Sequence, residues 1–87
     1  MGKYQKLIIK ILTGQSDNNI RFQELCDLLI KLGFEERVRG SHHLFRKKDI
    51  FEKINLQQDK SFAKPYQVKQ VRNLILKYKL MEKLDDE

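Results

Sequence analysis

The spacing of apolar positions changes character along the chain. Tyr4, Leu7, Ile8 and Ile11 recur at i, i+3, i+4 and i+7, which predicts an amphipathic helix over residues 3–12, ended by Gly14. Thr13 to Asn19 is polar and turn-forming and reads as a loop. Phe22, Leu25, Cys26, Leu29 and Leu32 restore the helical spacing, so a second helix is expected over Phe22–Leu32, with Gly33 placed to stop it. Beyond Gly33 the helical stripe is lost. Phe34–Arg39 and His42–Arg46 read as strands joined by the short turn Gly40-Ser41. Lys47-Lys48-Asp49 turns again. Ile50–Leu56 then alternates, with Ile50, Ile54 and Leu56 on one face and Phe51, Lys53 and Asn55 on the other. Residues 57–64 form a polar loop. Pro65 suits the first turn of a last helix, where its missing N–H costs nothing. Val68, Val71, Leu74, Ile75 and Tyr78 form that helix's buried arc, with Lys69, Arg72 and Lys79 on its other side.

The predicted order is α-α-β-β-β-α, an α+β sandwich. The second and last helices cover one face of a three-stranded antiparallel sheet and leave the other open. The chain of 87 residues makes one domain: a helical extension over 1–19, a core over 20–80 and an acidic tail over 81–87. A chain of this size buries only about 60–65% of its unfolded surface. The first helix is therefore expected on the core, rather than held out for a partner.

Charge sharpens this picture. Eighteen Lys and Arg against twelve Asp and Glu leave a net +6, which favours an anionic partner, nucleic acid first. The positive charge is segregated. Lys60, Lys64, Lys69, Arg72, Lys77 and Lys79 fall in a stretch without an acid, and Arg37, Arg39, Arg46, Lys47 and Lys48 form a second cluster. One cysteine excludes a disulfide framework and a cysteine-rich zinc site, and Cys26 reads as a small core residue. No apolar run approaches the roughly 18 residues needed to span a bilayer. The N-terminus lacks a small-residue cleavage site, so the chain is expected in the cytoplasm.

Candidate chemistry centres on the adjacent pair His42 and His43, the only histidines in the sequence. Histidine is the side chain best suited to proton transfer near neutral pH. Neighbours on a strand point to opposite faces, so at most one of the pair faces the open side. If Phe45 takes the core side, His43 goes with it and His42 faces solvent together with Arg46; the reverse register exposes His43. No Asp, Glu, Cys or third His lies at a chelating sequence spacing, so no metal site is expected. The scattered glycines make no phosphate-cradling motif.

A leucine-rich helix, then Leu32-Gly33-Phe34, a short charged strand and Gly40-Ser41-His42-His43-Leu44-Phe45-Arg46 resembles the HicA family. These are bacterial toxins of HicA/HicB toxin–antitoxin systems, described as mRNA interferases. The likeness spans residues 20–80. Ile54-Asn55-Leu56-Gln57 and Ala63-Lys64-Pro65-Tyr66-Gln67-Val68 are similar to a longer branch of the family.

The resemblance implies a fold like the double-stranded-RNA-binding domain, α-β-β-β-α, with an additional N-terminal helix. It implies an endoribonuclease acting on mRNA with a histidine as general acid or base, without cofactor or metal, silenced by a HicB-type antitoxin and away from membranes. The histidine after Gly-Ser is the family's catalytic one, which carries onto His42, with His43 the alternative, and Gly40 and Ser41 shape the turn that presents it. Arg37, Arg39, Arg46, Lys64, Lys69 and Arg72 are the candidate RNA contacts, Arg46 and Lys64 among them as phosphate stabilisers. The chain departs from the family in its extra helix and in lacking the Pro-x-His segment after the third strand, which leaves a second acid–base group unidentified. The alternative reading is a non-catalytic RNA-binding module of the same fold.

Overall fold

The structure, a computed structural model, describes residues 2–84. Asp85, Asp86 and Glu87, the charged end of the expected acidic tail, lie outside the described residues. The element order is α1 (Lys3–Thr13), α2 (Phe22–Lys31), β1 (Glu35–Arg39), β2 (His42–Lys47), β3 (Ile50–Gln57) and α3 (Pro65–Tyr78), followed by a 3-10 turn at Leu80–Leu84. The strands form one antiparallel sheet in the order β1-β2-β3. The α+β class and the α-β-β-β-α layout of the core agree with the pattern read from the sequence. Among the described residues, no helix is long and apolar enough to cross a membrane.

Glycine sets two of the chain reversals. At the end of α2, Gly33 takes φ +102°; its N–H donates to Ile30 O at 3.0 Å, and that of Phe34 donates to Leu29 O at 3.0 Å. This pair of bonds is a Schellman closure, which needs a left-handed residue after the last helical turn. Gly40 takes φ +59° at the first of two positions linking the paired residues Arg39 and His42. Glycine there matches a type II′ hairpin, whose twist suits the flanking strands. The N–H of Gln58 donates to Ser41 O at 2.9 Å and ties the start of β2 to the end of β3.

The core lies between the sheet and the helices. Leu25, Leu28 and Leu29 of α2, Phe45, Ile54 and Leu56 of the sheet, and Val68, Val71 and Ile75 of α3 are buried in one cluster. The N-terminal helix joins it: Leu7, Ile8 and Ile11 are buried, and α1 is therefore part of the core. Arg72 fastens it there, with Nη1 donating to Asp17 Oδ1 at 2.9 Å and to Ile11 O at 3.2 Å. Residues 57–64, expected as plain loop, also contribute to the packing. Phe22 N–H donates to Ser61 O at 2.9 Å and Ala63 N–H to Ile20 O at 2.8 Å, around an Arg21–Phe62 bridge. Ile20 and Ala63 are buried there, because an apolar residue on each side of a polar stretch seals the contact.

The contacts between α3 and β3 run in opposite chain directions. Gln67, wholly buried, has its Oε1 accepting from Lys64 N–H at 3.2 Å and its Nε2 donating to Gln57 O at 3.3 Å. The helix N-terminus is thereby pinned beside the end of β3, and both ends of the buried amide are satisfied. At the opposite end, Glu52 accepts from Lys77 Nζ at 2.7 Å and from the Tyr78 hydroxyl at 2.6 Å.

Those donors hold the Glu52 carboxyl down at about 2, against an ordinary 4.5. A depressed carboxyl stabilises the fold above its unfolded pKa and loses that contribution as pH falls toward the folded one. Glu52→Gln is expected to lower the urea midpoint at neutral pH, with the gap to the parent protein closing between pH 4.5 and 2. A gap independent of pH over that window in paired urea titrations contradicts this assignment.

Candidate active site

The register of β2 separates the adjacent histidines. Phe45 is wholly buried and pairs Glu36 on β1 and Ile54 on β3. His43, two residues earlier, shares that helix-facing side, while His42, Leu44 and Arg46 take the open side. The pairings Arg39–His42–Gln57 and Arg37–Leu44–Asn55 then form successive rows across the open face. Directly opposed residues in such rows have Cβ atoms about 4.5–5.5 Å apart.

His42 is exposed, and its ring is held by a partner that sequence reading had placed on this face without a role. His42 Nδ1 lies 3.3 Å from Asn55 Oδ1, a diagonal contact across the β2–β3 pair. An amide oxygen accepts only, so this contact puts the imidazole proton on Nδ1 and leaves the Nε2 lone pair for an incoming proton. Asn55 is separated from His42 by 13 residues in sequence, and its contact follows from strand register, which no local motif encodes.

His43 is a different group. Its Nδ1 lies 2.8 Å from Glu36 Oε2, and its ring meets Phe22 edge-on with centroids 5.0 Å apart. Its side chain is 17% exposed. Cys26 joins it from α2: one donor atom each of Cys26, Glu36 and His43 lies within 4.8 Å of the others. The expectation that no chelating group would form, drawn from sequence spacing, is therefore corrected by the fold. The set fits a metal poorly. Burial, followed by the Glu36 and Asp27 charges, pushes the Cys26 thiol up to about 12, and Glu36 and His43 already satisfy each other. The same shift leaves Cys26 protonated at neutral pH and unsuited to act as a nucleophile.

The candidate RNA contacts divide between the two layers. Arg37, Arg39 and Arg46 share the open face with His42 and are exposed. Arg39 is its direct neighbour and Arg37 a diagonal one, whereas Arg46 is four residues along β2, about 13 Å away at the strand rise. Arg39 and Arg37 are thus better placed than Arg46 to serve a group bound at His42. Lys53, exposed on β3, adds a cation to this face that was not among the expected contacts. Lys64 precedes α3 at the end of the sheet where His42 and Gln57 pair, on the helical side. Lys69 is exposed on α3. Arg72 is committed to Asp17 and Ile11 with its side chain 17% exposed, so its charge serves the α1–α3 contact.

Comparison with protein-family models, curated proteins and solved structures finds no significant match.

The contact between Asn55 and His42 predicts a measurable tautomer. In wild-type protein the neutral His42 ring should carry its proton on Nδ1, and Asn55→Ala should shift the ring toward the Nε2–H form normally favoured in water. Long-range ¹H–¹⁵N spectra above the imidazole pKa read this directly. An unchanged tautomer in the variant contradicts a positioning role for Asn55.

Proposed function

We propose that the chain is a HicA-type toxin with a double-stranded-RNA-binding-domain-like core, a metal-independent endoribonuclease acting on single-stranded mRNA. The observation that carries this reading is His42 itself: exposed on an open sheet face, Nδ1 held by Asn55, Arg39 beside it, and presented by the Gly40-Ser41 turn. RNA carries its own nucleophile. His42 Nε2 takes the proton of the 2′-hydroxyl, the 2′-oxygen bonds to the adjacent phosphorus, and the P–O5′ bond breaks. The products are a 2′,3′-cyclic phosphate and a 5′-hydroxyl, the leaving oxygen taking its proton from solvent. Arg39 and Arg37 neutralise the charge that grows on the phosphorane, the work for which preorganised cations are best suited. His43 contributes by anchoring the hairpin from the opposite face.

Positioned proton transfer contributes about 10²–10⁴-fold. His42→Ala is expected to lose cleavage and toxicity by a factor in that range while remaining folded and still binding RNA. Cleavage should survive excess EDTA. Unimpaired cleavage by the His42 variant, or loss on chelation restored by a divalent ion, contradicts this mechanism. Absence of cleavage by the parent protein, with RNA binding intact and unaltered by His42→Ala, favours a non-catalytic RNA-binding module.

The substrate face is equally testable. Each phosphate contact on a single strand contributes about 0.7 to the slope of log K against log salt. Neutralising Arg37, Arg39 and Arg46 together should flatten that slope by about 2, whereas neutralising Lys69 should leave it nearly unchanged. The reverse pattern would move the RNA to the helical layer. A HicB-type antitoxin fits the same face, where acidic groups would be drawn to the Arg rim and would cover His42.

A further inference from the structure

Phe51 is 93% exposed, the most exposed of the large apolar side chains in the described residues. Isolated apolar residues at a surface are ordinary. The setting of Phe51 is not. It lies on the open side of β3, in line with Lys53 and Asn55, and borders a groove also lined by Arg46, Lys48 and Glu35. Ile50 and Ile54 on the same strand are buried, so alternation alone holds the ring in water, and among the described residues nothing covers it. Burying such a ring is favourable, a gain the free chain leaves unrealised.

We infer that Phe51 is a base-stacking platform for single-stranded RNA, a binding subsite at the far end of the sheet from His42. This rests on the ribonuclease reading above and adds to it the path of the strand. The occupant must offer a flat apolar face together with negative charge, since Arg46, Lys48 and Lys53 line the groove and, of its acids Glu35 and Glu52, the second is already taken up by Lys77 and Tyr78. A nucleotide offers both: every base has a π-face, and its phosphates suit Arg46, Lys48 and Lys53. Position fixes what the platform does. Gln57 pairs with His42, and Phe51 stands six residues before it on β3, about 20 Å away at the strand rise. A base stacked there is remote from the scissile phosphate, so Phe51 governs affinity and substrate length, leaving the chemical step to His42.

The test uses the full chain and a single-stranded RNA of about twelve nucleotides with 2′-O-methyl groups, which lacks the nucleophile and cannot be cut by the proposed route. Stacking on one aromatic corresponds to about 5- to 150-fold in affinity by alanine substitution. Phe51→Ala should therefore weaken binding by a factor in that range, and Phe51→Tyr should restore it. On cleavable RNA, Phe51→Ala should raise KM and leave kcat near that of the parent. The sequence contains no tryptophan, so Phe51→Trp supplies a single reporter whose fluorescence RNA should quench. Equal affinity for Phe51→Ala together with an unquenched tryptophan overturns the platform while leaving the ribonuclease reading intact. Failure of the parent protein to bind RNA overturns both. Unchanged RNA affinity accompanied by loss of self-association in Phe51→Ala assigns the ring to a contact between copies and also overturns the platform.

Discussion

Phe45 is wholly buried in the central strand, flanked by Glu36 on β1 and Ile54 on β3, and the rest of the sheet depends on which way it points. Side chains alternate along a strand, so a slip of one residue would exchange every group between the two faces. Phe45 would come out into water. His42 and Arg46 would turn under the helices, and a buried unpaired guanidinium is far more costly than an exposed ring. The apolar surface of α2 and α3 thus selects one register, and that register delivers His42, Arg37 and Arg39 to the opposite side without any local signal for them. The geometry of the open face is a consequence of packing on the closed one.

The same alternation gives two chemically identical rings unlike roles. His43 sits against Phe22 and Glu36, close to a thiol whose own proton is held by burial. Its polar edge is satisfied within the fold, and moving it would disturb α2 and β1 together. His42 has one weak tether, to Asn55, and otherwise faces solvent. A ring that must accept a proton from an incoming hydroxyl needs a fixed tautomer and a free second nitrogen. The Asn55 contact supplies the first and leaves the second. Glu36 instead engages Nδ1 of His43 at 2.8 Å, on the side of the sheet away from the open face.

Periodicity made most of the fold legible. Helical stripes, the glycine stop after α2 and the β3 alternation all describe local geometry, and the structure agrees with them to within a residue or so at each end. What sequence could not supply was pairing over distance. Arg72 looked like one more cation in an acid-free stretch, yet Asp17, 55 residues away, claims it. Cys26, Glu36 and His43 have no common spacing and meet because α2 lies against the first two strands. The sequence favours Arg46 over Arg39 as the phosphate stabiliser near His42, and only the β1–β2 register shows that Arg39 is adjacent and Arg46 is several residues along. Exposure carried one further fact that alternation had hinted at: Phe51 falls on the outer face, and its nearly complete exposure appears only once no helix is found over it.

Under the proposed chemistry, the open face favours one half of the reaction over the other. Removing the 2′-proton and holding the phosphorane's charge both have a group in place, His42 for the first and Arg39 with Arg37 for the second. Protonating the departing 5′-oxygen has none, because the second imidazole of the sequence points into the helical layer. Guanidinium groups do not fill the gap, since their pKa lies far above that of a useful acid near neutrality. Bond breaking to the 5′-oxygen is therefore the step with the least help. The rate should respond to the leaving group: an RNA analogue with sulfur in place of the bridging 5′-oxygen leaves without protonation and should be cut faster by this protein, with a smaller benefit in an enzyme that holds a dedicated acid. On the proposed chemistry turnover would be slow, and an effect in a cell would come from acting repeatedly on messages that are each destroyed by a single cut.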